Sequence, residues 1–103
     1  GEYNYAASVY LSYLQDQGES ALIYNQLALC YMQLEDYTSA LSALQSGLAL
    51  EDTALKQTLS FNQVVLYEKQ GDFKQAAALM GKYVQDYPDD AAAVREYEFL
   101  RSR

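Results

Sequence analysis

The sequence predicts an all-α fold built from repeated helical hairpins, and three observations lead there. Half of the 103 residues are hydrophobic, so the chain can bury a core of single-domain size. One proline and five scattered glycines leave long stretches free of helix breakers. Ala, Leu, Gln and Glu, all good helix formers, fill those stretches. One residue pattern then returns along the chain at a nearly constant interval.

The elements can be taken in order. Six helices are expected, at about 2–17, 20–34, 37–50, 53–70, 73–86 and 89–101. Residues 1–20 form a single helix ended by Gly18, which suits a left-handed stop. In 21–34, Leu22, Tyr24, Leu27, Ala28, Leu29 and Tyr31 recur at three- and four-residue steps and give a wide apolar stripe. Tyr37, Ala40, Leu41, Leu44 and Leu48 do the same in 37–50. Gly71 suits the stop of the fourth helix. Asp72 is placed to cap the fifth, with Gln75 three residues on as in a capping box. Pro88-Asp89-Asp90 separates the fifth helix from the sixth, whose Ala93, Val94, Tyr97 and Leu100 share one side.

The repeat is read by self-comparison. Gly1-Glu2-Tyr3 with Ala6, Tyr10 and Tyr13 returns 34 residues later as Glu35-Asp36-Tyr37 with Ala40, Leu44 and Gly47. It returns after a further 36 as Gly71-Asp72-Phe73 with Ala76, Met80 and Tyr83, and Tyr31 and Tyr67 match at the same 36-residue shift. A period in this range marks a repeat architecture. Ala28 and Ala40 are expected where the two helices of a unit approach closely. Gly47 and Gly81 lie mid-helix, where glycine costs about 1 kcal/mol relative to alanine, so close helix crossings are expected there.

These residues resemble the tetratricopeptide repeat, a 34-residue helix–turn–helix unit. Residues 21–54 supply Tyr24, Leu27-Ala28, Tyr31, Asp36-Tyr37, Ala40, Leu44 and Gly47; residues 57–88 supply Tyr67, Gly71-Asp72-Phe73, Ala76, Met80, Tyr83 and Pro88. Residues 1–20 match only the second helix of a unit, and 89–103 are read as a C-terminal capping helix. Departures include Glu35 at the usual turn glycine, Asp52 at the usual proline, and Ser60 and Gln63-Val64 at the large residue and Leu-Gly pair. The resemblance implies a right-handed α-solenoid whose units hold another polypeptide. The chain also looks similar to bacterial tetratricopeptide proteins, including some surface lipoproteins, which implies a fragment of such a protein; cytoplasmic and extracytoplasmic settings both stay open.

The composition also bears on chemistry. There is no histidine, which removes histidine bases, histidine metal sites and Ser-His-Asp arrangements. The single Cys30 sits in an apolar run and is expected to be a buried small side chain. No glycine-rich phosphate loop occurs, and the paired acids at 35–36, 51–52 and 89–90 fall at turns. No catalytic, cofactor-binding or metal residue is assigned. A net charge of −7, from 14 acids and seven bases, repels phosphate backbones and anionic membranes, so nucleic acid is not an expected partner. No apolar run is long enough to span a bilayer.

By the resemblance, the first helix of each unit lines a concave face that receives a protein or peptide. The positions carried over are Leu22, Asn25, Leu29, Met32 and Gln33, then Thr58, Phe61, Val65, Glu68 and Lys69, with Arg95 and Phe99 extending the row. Asn62 joins Asn25 as an amide able to meet a peptide backbone with donor and acceptor together. Phe61 and Val65 fit packing between helices equally well. The alternative function is self-association, a homodimer through the concave face or the N-terminal edge. Of the 11 tyrosines, seven sit at positions that recur in the self-comparison; Tyr5, Tyr24, Tyr87 and Tyr97 remain, and Tyr24 still falls at the repeat's large position.

Overall fold

A computed structural model describes residues 1–102. Six helices follow one another: α1 (Glu2–Gln17), α2 (Ala21–Gln33), α3 (Tyr37–Ala49), α4 (Thr53–Lys69), α5 (Phe73–Asp86) and α6 (Ala91–Arg101). There is no strand among the described residues. The expected helices are all present, with ends displaced by no more than two residues.

The starts of α2, α3, α5 and α6 are set by side-chain caps. Ser20 Oγ accepts from the backbone N–H of Ile23 at 3.2 Å, ahead of α2. Asp36, Asp72 and Asp90 accept in the same way from Ser39, Gln75 and Ala93, at 3.2, 3.1 and 3.1 Å. Each carboxylate satisfies a first-turn donor that has no partner inside the helix.

The turns repeat as closely as the helices. Between α2 and α3, Asp36 N–H donates to Tyr31 C=O at 2.9 Å and Glu35 N–H to Met32 C=O at 3.1 Å. Between α4 and α5, Asp72 N–H donates to Tyr67 C=O at 2.9 Å and Gly71 N–H to Glu68 C=O at 3.0 Å. This is one turn displaced by 36 residues. It needs a left-handed residue: Gly71 has φ 80° and Glu35 has φ 60°. Glycine enters that region freely, whereas glutamate is strained there.

The chain divides into two compact units, Gly1–Leu59 and Ser60–Arg103, with the boundary inside α4. In the first unit α2 packs on α3 and α1 on α2. Ala28, Ala40 and Leu44 have no exposed surface, and Leu27, Ala43 and Cys30 are also buried. Gly47 shows why α3 carries no side chain there. A Cβ would lie 3.1 and 3.2 Å from the methyls of Leu59 and 3.2 Å from Tyr24 Cβ.

In the second unit Val64, Ala76, Met80, Tyr83, Ala93 and Leu100 form the core. Tyr67, Phe73, Leu79, Tyr87 and Tyr97 close around it. Gly81 lets Tyr97 approach, the ring lying 3.1 Å from where a Cβ would be.

Candidate partner-binding surface

In the first unit the surface expected to meet a partner lies on α2. Leu22, Leu29 and Gln33 are exposed along its length. At about 100° per residue these three fall within roughly 40° of one another and form one ridge. Asn25 and Met32, expected on the same row, are buried, at 4 % and 5 % exposure. They stand about 60–80° around the helix from the ridge by the same geometry. Asn25 Nδ2 donates to Gln26 Oε1 at 3.3 Å, so its amide is engaged within the fold. Thr58, the last of the expected positions in this unit, is exposed.

In the second unit Phe61 and Val65 are one turn apart on α4, the first just exposed and the second half-buried. Phe61 meets Tyr83 edge-on, with centroids 5.6 Å apart and planes at 64°. Tyr83 in turn lies 4.9 Å from Tyr87. Such pairs add to area burial, so Phe61 both touches the core residue Tyr83 and keeps part of its surface exposed. Asn62 and Glu68 are half-buried and Lys69 is exposed. On α6, Arg95 is exposed, and Phe99 keeps 54 % of its surface accessible.

One polar arrangement here is not legible from spacing. Tyr83 Oη donates to Asp90 Oδ2 at 2.8 Å, while Asp90 Oδ1 caps α6 through Ala93 N–H. A single carboxylate thus holds the phenol of α5 and the first turn of α6. A second such pair lies in the first unit, where Tyr24 Oη donates to Glu19 Oε1 at 3.2 Å. Partial burial, then the Glu19 charge and this bond, push the Tyr24 hydroxyl above its ordinary value of 10.0. Burial likewise raises the Cys30 thiol above 9.0, which suits a packed side chain and not a nucleophile.

No group of three or more His, Cys, Asp or Glu able to hold a metal occurs among the described residues. No described helix is long and apolar enough to cross a membrane.

Helical hairpins joined by one recurring turn and related by a 36-residue shift define the class: a helical-repeat protein. Residues 58–90 match the family model described as Tetratricopeptide repeat. With the repeated turn, caps and buried small residues, that match supports a tetratricopeptide-repeat protein. No curated protein matches it. Tetratricopeptide repeats generally mediate protein–protein interaction and are typically non-enzymatic modules.

Proposed function

We propose that this chain is an interaction module that holds a peptide or protein segment on the first-helix residues of its repeats. The contacts would come from the Leu22–Leu29–Gln33 ridge in the first unit. In the second they would come from Phe61, Val65 and Lys69 on α4, with Arg95 and Phe99 on α6. The observation that carries this reading is large apolar side chains left exposed at positions where the family meets its ligands: Leu22, Leu29, Phe61 and Phe99. Apolar anchors with polar neighbours are what a bound helix or extended peptide needs. Asn25 and Met32 support such a surface from beneath.

The test is light-scattering mass across a concentration series, followed by a peptide-library screen, on wild type, Phe61→Glu and Leu22→Glu. Phe61→Glu also removes the Tyr83 contact, so Leu22→Glu serves as the variant that leaves the core intact. Monomeric protein with peptide hits lost in both variants supports the module. A wild-type dimer converted by either variant to a folded monomer replaces it with self-association. Hits that survive both variants refute the assignment.

A further inference from the structure

Phe61 is an apolar contact that the proposed surface takes from α4, and its pose hangs on a chain of contacts ending at Asp90. The torsion that turns a phenylalanine ring is broad and roughly two-fold, so a partly exposed ring takes its orientation from what it touches. Phe61 keeps 36 % of its surface accessible and meets the Tyr83 ring edge-on. That arrangement depends on angle, because the positive edge of one ring is drawn to the negative face of the other.

Tyr83 is therefore the support, and it is held at its far end. Its Oη donates to Asp90 Oδ2 at 2.8 Å, which fixes the long axis of the ring. A phenolic O–H lies in the plane of its own ring, so the direction of this bond also favours one ring plane. Tyr87 lies against the same ring, with planes at 45°.

Asp90 is pinned in turn. Its N–H donates to Tyr87 C=O at 3.2 Å, and its C=O accepts from Val94 N–H at 3.1 Å. Its Oδ1 accepts from Ala93 N–H at 3.1 Å. These bonds leave Oδ2 as a fixed acceptor, and a carboxylate binds a hydroxyl more strongly than a neutral oxygen does. The same residue starts α6, which carries Arg95 and Phe99.

We infer that Asp90 is a positioning residue for the partner surface: through Tyr83 it sets the pose in which Phe61 is presented to a bound segment. The inference rests on the reading of Phe61 as a partner contact. It gives Tyr83 and Asp90, neither of them on the partner row, a share in affinity.

The probe is 4-fluorophenylalanine carried by the whole chain in place of Phe61, Phe73 and Phe99, read by fluorine NMR, with Phe61→Leu assigning the first resonance. Two variants break one bond from opposite ends. Tyr83→Phe keeps the ring and loses the phenol. Asp90→Ser keeps a cap for α6, but its single oxygen is taken up by that cap. Spectra are recorded at a temperature where circular dichroism shows every variant folded. The Phe61 resonance should shift or broaden in both variants. A bond that only adds stability would lower the melting temperature and leave the native resonance where it was; that result overturns the inference. Peptides selected by the library screen should bind each variant about three- to tenfold more weakly than wild type. The Tyr83→Phe/Asp90→Ser double variant should bind no more weakly than the weaker single one, since both remove the same bond. Wild-type affinity in both variants also overturns the inference. A screen without hits, or hits that ignore Phe61→Glu, removes Phe61 as a contact; the fluorine spectra still decide by themselves whether Asp90 sets its pose.

Discussion

Gly47 in α3 and Gly81 in α5 each admit a close neighbour, and replacing each by alanine separates two effects that usually arrive together. Alanine gains about 1 kcal/mol over glycine in a helix interior, and the gain is common to both sites. The surroundings differ. At Gly47 the new methyl meets both Leu59 methyls at 3.1–3.2 Å and Tyr24 Cβ at 3.2 Å. Leu59 is 1 % exposed, so it has nowhere to turn, and the Tyr24 atom is fixed to the α2 backbone. Overpacking of this kind costs about 1–3 kcal/mol, so Gly47→Ala should be net destabilising by up to about 2 kcal/mol. At Gly81 the obstacle is only the far edge of the half-buried Tyr97 ring, at 3.1–3.3 Å, which can swing outward. Gly81→Ala should therefore be neutral or up to about 1 kcal/mol more stable. Urea titration followed by circular dichroism at 222 nm measures both, and melting should separate them by about 4–8 °C per kcal/mol. If Gly47→Ala proves at least as stable as wild type while Gly81→Ala does not, the close-crossing account is wrong.

Other expectations follow from the caps, the turns and the raised groups. Tyr83→Phe should cost about 1 kcal/mol, and Asp90→Ala about 2–3 kcal/mol, because it removes a helix cap and strands a buried hydroxyl; chemical denaturation with Asp90→Asn as an intermediate case checks the order. Gly71→Ala should lose about 1 kcal/mol, since the φ of 80° is the whole penalty and no atom lies within 4 Å of the new Cβ. Glu35→Gly relieves the same strain but frees the unfolded chain, so its gain should stay below about 1 kcal/mol in the same assay. Tyr24 ionises less readily folded than unfolded, so its contribution is complete below its ordinary value of 10.0 and lost as pH rises through the higher folded value. The alkaline fall in stability should be shallower in Tyr24→Phe, measured by denaturation between pH 9 and 12. Cys30 should react with a thiol reagent at a rate that follows urea-induced opening and not the rate of an exposed thiol.

Much of this architecture can be read from the chain because its determinants are local. The Ser and Asp caps act three residues ahead, the left-handed turn residues act on their own backbone, and Ala28, Ala40 and Leu44 fall on stripes that any helix would bury. The match of Glu35 to Gly71 was visible as a departure from the repeat; that both adopt the same left-handed turn required the backbone. The Tyr83–Asp90 bond was hidden, since it joins residues seven apart across a break between helices and follows no helical spacing. The inward turn of Asn25 and Met32 was hidden for another reason. Family positions define a face about 100° wide, whereas packing leaves only the ridge of Leu22, Leu29 and Gln33 open. The exposure of Tyr13 on α1 was masked by its good match to the repeat, because the equivalent Gly47 and Tyr83 are buried in α3 and α5.

Asp90 also sets a length. Surface connections ordinarily accept insertions at little thermodynamic cost, and the stretch around Glu51 and Asp52, already two residues longer than the 34-residue unit, is of that kind. The link from Tyr87 to Asp89 is not. One carboxylate there must reach backward to a phenol on α5 and forward to the first turn of α6 at once. A single inserted residue would force a choice between the two, so lengthening should be tolerated between α3 and α4 and resisted between α5 and α6.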